Sequence, residues 1–363
     1  MAELNVFSPP GGVAEFFYAM QSTPGRNFEA ELRELLARYR ERSAGTIPVW
    51  IRFHLSDIAN QAAIVRQLAG PEPALIGQPP ADGARIALEA YHLPEGTQVL
   101  RDSGRTELRL KNYRQLFFRT ETLSSRGSGP QMREEFEAAG RLLRREGGSV
   151  AENLQRTWIY CRDIDNNYAA LVAARRELFR QYGLTESTHY IASTGIEGMP
   201  DPFDRLVRMD SFALFGHRPE QIEYLQALDH LSPTHVYGVT FERGTRIVYG
   251  DRSHYYISGT ASIDREGKIV HPGDVFRQTG RLIENVEALL QSRGGTLSDL
   301  RQAVVYLRDP ADREAVESVL AERIPPEVAR ITVKGSVCRP GWLVEMDAIA
   351  ADTAGNPVFE RFE

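Results

Sequence analysis

The sequence contains little lysine, little cysteine and no long apolar run. Lysine occupies only three of the 363 positions, so arginine supplies nearly all of the 43 basic residues. The two cysteines, Cys161 and Cys338, are too few for a disulfide framework, and each is treated as a single thiol. No stretch approaches 18 uncharged apolar residues, and the N-terminus MAELNVFSPPGG has neither a basic nor an apolar leader segment. We therefore expect a soluble cytoplasmic protein.

Motifs for metals, nucleotides and nucleic acids are also missing. The eight histidines show neither HExxH nor paired-cysteine spacing, and no GxGxxG or P-loop occurs. The net charge of −6 argues against a surface built for phosphate backbones. No Ser-His-Asp or Cys-His motif indicates protease-type chemistry. We expect a small-molecule substrate, with no metal, no cofactor, no nucleic acid and no membrane as partner.

The composition is that of an ordinary globular protein, and the sequence contains an internal repeat. With 42% hydrophobic and 25% charged residues it suits packed domains. The last third predicts a strand hairpin, a helix from Pro272 to Arg293, a buried strand from Ala303 to Leu307, a helix from Asp312 to Arg323 and two closing strands. This order of elements predicts an α+β fold.

The middle third repeats that order of elements. The matched positions, middle third first, are Gly147-Gly148 with Gly294-Gly295, Tyr160 with Tyr306, Arg162-Asp163 with Arg308-Asp309, and Val207 to Asp210 with Val344 to Asp347. Arg208 therefore stands where the last third has Glu345. The exchange of an acid for a base suggests that only one of the two units keeps an acid-dependent site. Simple drift on an exposed strand is the alternative.

A third, weaker copy lies at the front of the chain. ELRELLARYRERSAG predicts an amphipathic helix, VWIRFHLSD a strand, IANQAAIVRQLAG a second helix and ARIALEAYHL a closing strand. No opening hairpin is evident there, and the closing strand sets Leu88-Glu89 opposite Val344-Glu345. With joints at Pro94 to Tyr113 and Gly216 to Pro233, we expect copies at residues 1–112, 113–216 and 232–355.

The segment YYISGTASIDREGKIVHPG, with LSDLRQAVVYLRD and VKGSVCRPGWLVEMDAIA further on, resembles the reactive-intermediate deaminase superfamily (Rid, or YjgF-like). The resemblance is good in the last third, moderate in the middle and weak at the front. Rid proteins have a chorismate-mutase-like fold of mixed sheets packed on helices, and they form trimers with a ligand pocket at each subunit boundary. The resemblance therefore implies a monomer arranged as an internal pseudo-trimer, with 363 residues as three times 121.

A chain with a Rid-like last third and degenerate earlier copies is similar to the chorismatases, which remove pyruvate from chorismate. Cys338 and Glu345 in SVCRPGWLVE, with the glycine in ISGT, resemble the subclass that makes 3-hydroxybenzoate. This implies a pyruvate-releasing lyase that protonates an enol ether and passes through an arene oxide. The hydrolytic subclass, which makes a dihydroxycyclohexadiene carboxylate, is the close alternative. A Rid-type imine or enamine hydrolase and a non-catalytic sensor of small acids also stay open.

Two residues of this segment suit a dianionic enol ether on chemical grounds. Glu345 lies mid-strand between Val344 and Met346, where apolar surroundings raise the pKa of a carboxyl and keep it protonated, as a general acid requires. A strand-face glutamate in a salt bridge is the alternative. Arg339 is a candidate donor for a substrate carboxylate.

The remaining candidates depend more heavily on the resemblance. It implies that Cys338 helps to open the arene oxide, whereas a lone cysteine is usually an inert core residue. Ser258 and Gly259 end the strand HYYIS, where glycine either leaves room for a ligand or simply turns the chain. Arg162 is a candidate for holding a carboxylate across the internal boundary, with a salt bridge as the alternative. Tyr160 is the weakest substrate-binding candidate, with a core position as its alternative.

Overall fold

The computed structural model describes residues 2–25, 27–69, 73–120 and 126–363. These residues form seventeen β-strands and seven α-helices. The strands are β1 Leu4–Phe7, β2 Glu15–Gln21, β3 Thr46–Leu55, β4 Ala74–Gly77, β5 Ile86–Pro94, β6 Gln98–Asp102, β7 Arg105–Arg109, β8 Arg114–Arg119, β9 Leu154–Cys161, β10 Ala192–Glu197, β11 Val207–Phe215, β12 Ile222–Tyr224, β13 Gly244–Val248, β14 Ser253–Ala261, β15 Leu300–Leu307, β16 Ala329–Lys334 and β17 Val344–Asp352. The helices are α1 Phe28–Arg42, α2 Ile58–Ala69, α3 Ser128–Arg145, α4 Val150–Asn153, α5 Ile164–Gln181, α6 Val275–Gln291 and α7 Arg313–Arg323.

Helix α6 shows how local sequence sets these elements. The side chain of Asp274 caps its first turn by accepting a hydrogen bond from the amide of Arg277 at 3.0 Å. Gly294, with a φ of 82°, takes the left-handed conformation just after the helix ends. The buried positions of α6 recur every three or four residues and include Leu282, Val286 and Leu289. Across the described ranges, each helix is too short or too polar to cross a membrane.

The strands form three mixed sheets with one shared topology. The sheets run β1-β2-β5-β3-β4, then β6-β7-β8-β11-β9-β10, then β12-β13-β14-β17-β15-β16. In each sheet the final pair is parallel, and the other pairs are antiparallel. This repetition confirms the predicted α+β fold and its repetition within the chain.

The front copy is more complete than its sequence indicates. Strands β1 and β2 form an opening antiparallel pair, with Leu4 opposite Tyr18, so the expectation of a missing hairpin is wrong. Strand β1 has only four residues, which are too few for an alternation of apolar and polar residues to be recognised in the sequence. The first sheet ends at Pro94 and the second begins at Gln98, so the expected joint from Pro94 to Tyr113 contains β6 and β7. The exact domain boundaries stay a prediction.

The three copies pack around a pseudo-threefold axis. An isolated β-bridge joins each copy to the next, and it starts from the edge strand of the parallel pair in each sheet. The bridged pairs are Gly77 with Met199, Ile196 with Val337, and Val333 with Pro80. These contacts run from the first copy to the second, from the second to the third, and from the third back to the first. The chain therefore has three internal boundaries of the same kind.

Strand register confirms one predicted match between copies. Glu345 lies opposite Tyr306, and Arg208 lies opposite Tyr160. Both tyrosines stand one residue before the last paired residue of a parallel strand pair. Arg208 is therefore the second copy's counterpart of Glu345, as the sequence predicts.

The same register corrects the alignment of the first copy. The position equivalent to the two tyrosines is His54, and the residue opposite His54 is Ala87. Ala87 is therefore the counterpart of Glu345, and Glu89 is the counterpart of Asp347. The predicted alignment of Leu88-Glu89 is wrong by two residues, because short strands of alternating pattern match equally well at either register. Only the third copy carries an acid at this position.

Candidate active site

A cavity at the boundary between the second and third copies surrounds Glu345. Its walls come from α5 and β10, from the segment that leads into β13, from β14 and β17, and from the loop between β16 and β17. The lining residues are Tyr168, Arg175, Ser193, Gly195, Val239, Phe241, Arg243, Gly259, Ala261, Ile263, Cys338, Trp342 and Glu345. The cavity and its mouth together hold about 450 Å³ of space outside the protein atoms.

A bulge in β14 brings the backbone of Gly259 against Glu345. The register of β14 with β17 shifts between Ile257 and Thr260, which bends the strand at this point. The amide of Gly259 donates to the Thr194 hydroxyl at 3.0 Å. A Cβ atom at position 259 would overlap Oε1 of Glu345 and lie 2.9 Å from its Cδ. The close approach therefore requires glycine.

The Glu345 carboxyl is buried and holds a proton at neutral pH. The residue is only 5% exposed, and within the described ranges its Oε1 has no hydrogen-bond partner. Burial and, to a lesser degree, the nearby Asp347 raise the pKa of Glu345 to about 8, while Arg156 and Arg243 oppose the shift. A carboxylic acid in this state suits proton donation to a bound substrate.

Asp347, two residues further along β17, is held in place by three donors. Its Oδ2 accepts hydrogen bonds from Thr194 Oγ1 at 2.7 Å, Arg156 Nη2 at 3.2 Å and the Tyr306 hydroxyl at 3.2 Å. Burial raises the pKa of Asp347 too. Because Asp347 is engaged in this network outside the cavity lining, Glu345 is the acid that faces the cavity.

Two buried arginines give the cavity its charge. Arg175 on α5 is 1% exposed, and Arg243, just before β13, is 5% exposed. Arg243 donates from Nη2 to the carbonyl oxygen of Ser232 at 3.0 Å, which fixes its guanidinium. Since Glu345 is protonated, the charge that faces the cavity is positive, as a substrate with carboxylates requires.

The loop between β16 and β17 places Cys338 on the cavity wall. Trp342 anchors this loop by donating from Nε1 to the Ser262 carbonyl at 2.9 Å, and Gln278 Nε2 donates to the Gly341 carbonyl at 2.9 Å. Burial raises the pKa of the Cys338 thiol to about 12, with Glu345 adding to the shift. The sulfur therefore stays protonated, and it contributes an S–H group rather than a thiolate nucleophile.

Two predicted site residues lie beside the cavity rather than in its lining. The guanidinium of Arg339 sits 5.7 Å from the centre of the Trp342 ring, on the cavity's rim. The hydroxyl of Ser258 donates to the Glu242 carbonyl at 2.6 Å and accepts from the amide of Ser193 at 2.9 Å. Ser258 thus ties β14 to the second copy and has a structural role here.

Arg162 and Tyr160 lie away from Glu345. Arg162 donates to the carbonyl of Phe203 at 2.9 Å and lines a separate cleft. Tyr160 is fully buried, with the guanidinium of Arg52 5.4 Å from its ring centre. Both belong to β9 or its end, and β10 stands between β9 and the third copy. The structure therefore does not bring these two residues to the cavity.

Neither cavity arginine is among the site residues predicted from the sequence. Arg175 had a detectable signal, because Tyr168, Leu171, Arg175 and Leu178 recur at helical spacing, which puts an arginine on the apolar face of α5. Arg243 had none, since its segment FERGT is typical of an ordinary loop.

Comparison with known proteins places the third copy in a family. The sequence model described as Endoribonuclease L-PSP matches residues 247–352. The 3-aminoacrylate deaminase RutC of Acinetobacter baylyi is 35% identical over 96 residues, which are 26% of this chain and 76% of RutC. This chain belongs to the endoribonuclease L-PSP family. The family segment contains Gly259, Cys338 and Glu345, three of the residues that the third copy contributes to the cavity.

The whole chain of this L-PSP family protein has the fold of a chorismatase. A crystal structure of a chorismatase superimposes with a TM-score of 0.67 and covers 95% of this chain and 99% of its own. The sequence identity over this match is 19%, so the similarity establishes the shared fold. It extends through all three copies, beyond the family segment.

Proposed function

We propose that this protein is a chorismatase that converts chorismate into 3-hydroxybenzoate and pyruvate. The observation that carries the proposal is a buried, protonated Glu345 in one cavity with two buried arginines. The chorismatase fold of the whole chain supports it. On this proposal the enzyme is a pyruvate-releasing lyase with one active site, at the boundary between the second and third copies.

The cavity meets the two requirements that chorismate sets. Chorismate is a small dianion with an enol ether, so its site needs cations for two carboxylates and an acid for the ether's methylene carbon. Arg175 and Arg243 supply the cations, and Arg339 on the rim is a further donor for the incoming dianion. Glu345 supplies the proton, and Arg243 lies close enough to stabilise the carboxylate that forms.

The ring chemistry follows from this protonation. The oxygen of the 4-hydroxyl attacks ring carbon 3 while the bond from that carbon to the ether oxygen breaks, so pyruvate leaves and an arene oxide forms. The hydroxyl proton returns to the Glu345 carboxylate. The bond between the epoxide oxygen and carbon 4 then breaks, which leaves the oxygen on carbon 3, and Cys338 donates an S–H hydrogen bond to that oxygen. The proton lost from carbon 3 balances the proton gained by the oxygen. All atoms of chorismate appear in the two products, and no water is consumed.

Pyruvate release is the simplest test of this proposal. Purified protein is incubated with chorismate, and pyruvate is followed by coupling to lactate dehydrogenase, with the spontaneous rate subtracted. Saturable release of pyruvate is expected. Saturable chorismate binding without pyruvate would make the protein a sensor rather than an enzyme.

The similarity to RutC favours a second candidate, the hydrolysis of an imine or enamine. In such a reaction an arginine binds the substrate carboxylate and a glutamate orients water. The raised pKa of Glu345 opposes this role, because a protonated carboxyl is a poor base for water. Turnover of enzymatically generated 2-aminoacrylate, without turnover of chorismate, would establish this second function instead.

Replacing Cys338 by alanine is expected to change the ring product more than the release of pyruvate. Glu345 acts before the arene oxide forms, so pyruvate release should stay within about tenfold of wild type. The yield of 3-hydroxybenzoate per pyruvate should fall, as measured by chromatography with mass detection. Cys161→Ala is the matched control, because the other cysteine of the chain is buried outside the cavity. An unchanged product ratio in Cys338→Ala would remove the proposed role.

The rate of pyruvate release is expected to fall as the pH rises above about 8. The acid works in its protonated form, and the pKa of Glu345 in the folded protein is about 8. The rate should therefore be flat below this value and should decline about tenfold per pH unit above it. Steady-state rates of pyruvate release between pH 6 and 10 measure this decline. A rate that rises through this range would indicate that Glu345 acts as a base.

Gly259→Ala is expected to lower the rate at least tenfold, because the new Cβ displaces the Glu345 carboxyl. Gly280→Ala is the matched control. A Cβ at position 280 of α6 meets no atom within 4 Å, so this variant should keep full activity and gain about 0.5–1 kcal/mol of stability. Full activity in Gly259→Ala would show that the acid does not depend on this close approach.

A further inference from the structure

A second, larger cavity lies at the boundary between the first and second copies. With its mouth it holds about 920 Å³ outside the protein atoms, roughly twice the space around Glu345. Its walls come from β3 and β4 of the first copy and from the hairpin β6-β7, β8, β9 and β11 of the second. The two cavities share no lining residue.

Aromatic rings form one wall of this second cavity. The ring centres of Trp50 and Trp158 lie 6.4 Å apart, and Phe117 is stacked on Phe212 beside them. The guanidinium carbon of Arg52 lies 5.3 Å from the Trp50 ring and 5.0 Å from the Trp158 ring, which holds the two indoles in place. Such a wall fits a flat, unsaturated ring.

One arginine of the lining, Arg101, carries a charge that suits an anion. Four arginines and two aspartates line the cavity. Arg52 is neutralised by Glu89 and Asp210, and Arg105 by Glu107 and Glu146. Arg101 instead donates to the carbonyl of Pro48 and, among the residues that the structure describes, pairs with no carboxylate. Its positive charge is therefore available to a carboxylate on a ligand.

Asp210 adds a hydrogen-bond acceptor deeper in the cavity. The residue is 8% exposed, and its Oδ2 accepts from Arg52 Nε at 2.9 Å. Its Oδ1 is buried and, in the described part of the chain, accepts no hydrogen bond. Arg208 Nε lies 3.8 Å from this oxygen, an ion pair without a hydrogen bond, so the Asp210 carboxylate keeps unused acceptor capacity for a donor on a ligand.

We propose that this second cavity binds a small hydroxylated aromatic carboxylate. The ring packs on Trp50 and Trp158, the carboxylate pairs with Arg101, and a ring hydroxyl donates to the carboxylate of Asp210. The inference stands on this cavity alone and holds whichever reaction occurs at Glu345. It makes the boundary between the first two copies a binding site separate from the acid-containing cavity.

The positions of the three tryptophans allow each cavity to be observed separately. Trp50 and Trp158 line the second cavity, and Trp342 lines the Glu345 cavity. In full-length Trp342→Phe protein, the remaining fluorescence therefore reports the second cavity. The probe is 3-hydroxybenzoate, with its own absorbance corrected against a free tryptophan derivative. Saturable quenching with a Kd on the order of 0.1 mM is expected.

Substitutions at exposed arginines locate the bound probe. Arg101→Met, made in the Trp342→Phe background, is expected to weaken binding at least about tenfold. Arg109→Met is the matched control, since Arg109 is an exposed arginine of β7 outside the cavity, and it should leave the Kd unchanged. Benzoate, which lacks the hydroxyl, should bind several-fold more weakly than 3-hydroxybenzoate.

Three results would overturn the proposal. The first is no saturable quenching in Trp342→Phe. The second is quenching that survives Arg101→Met but disappears in Arg175→Met, which would place the probe in the Glu345 cavity. The third is equal binding of benzoate and 3-hydroxybenzoate, which would remove the assigned role of Asp210 and with it the hydroxylated class of ligand.

Discussion

Replacing Glu345 by glutamine is expected to lower the rate of pyruvate release from chorismate by about a hundredfold to ten-thousandfold. Glutamine keeps the size and shape of the side chain but has no acidic proton. The enol ether would then have to be protonated by solvent, in a cavity that buries the reacting group. The measurement is the steady-state rate of pyruvate formation, with the spontaneous rate subtracted.

Asp352→Asn is the matched control for this substitution. Asp352 ends the same strand, and its carboxyl accepts from the Tyr255 hydroxyl at 2.7 Å, outside the Glu345 cavity. This variant should keep near wild-type rates. A Glu345→Gln enzyme that retained more than about a tenth of the wild-type rate would contradict the role of Glu345 as the acid.

The protonation state of Glu345 can also be tested without any substrate. Its pKa is about 8 in the folded protein, above the ordinary value of 4.5 for a glutamate. The folded state therefore binds the proton more tightly than the unfolded state does, and this stabilisation is complete below pH 4.5 and lost as the pH rises through 8. The free energy of unfolding of wild type, relative to Glu345→Gln, should fall across this window. A flat difference would mean that the folded carboxyl titrates normally.

Replacing Arg175 by methionine is expected to lower kcat/KM for chorismate by about a hundredfold. Methionine preserves much of the apolar stem on the buried face of α5 but removes the guanidinium that we propose as a binding partner for a substrate carboxylate. Most of the loss should appear as a higher KM, because the carboxylate is bound in both the ground state and the transition state. Initial rates over a range of chorismate concentrations separate the two parameters.

Arg180→Met provides the matched control on the same helix. Arg180 is exposed and lies outside the cavity, so its substitution should leave KM unchanged. Thermal unfolding of both variants shows whether the helix stays folded. An unchanged KM in folded Arg175→Met would move carboxylate binding to other residues, first of all Arg243 and the rim residue Arg339.

The order of strands and helices could be predicted because each element carries its own hydrophobic period. In helix α6 the buried residues recur every three to four positions. Strand β17 is a short, nearly continuous run of buried residues. Register in the first copy could not be fixed in this way. Leu88-Glu89 fits the pattern of the closing strand at either of two offsets, and only the pairing of His54 with Ala87 decides between them.

The site was predictable only where it lies within one copy. Glu345, Cys338 and Gly259 come from a single family segment, and the fold brings them together. Arg175 comes from the second copy, and it meets Glu345 only because two copies pack across a boundary. The pairing of residues across such a boundary depends on tertiary packing, for which a single sequence has no periodic signal.

The most direct test of the proposed activity is the stoichiometry of the products made from chorismate by wild-type protein. Pyruvate and the ring product are quantified in one reaction by chromatography with mass detection, against a control without enzyme. The account predicts equal amounts of pyruvate and 3-hydroxybenzoate. A ring product heavier by one water would indicate the hydrolytic reaction instead, and no pyruvate above the spontaneous background would contradict the proposal that this cavity acts on chorismate.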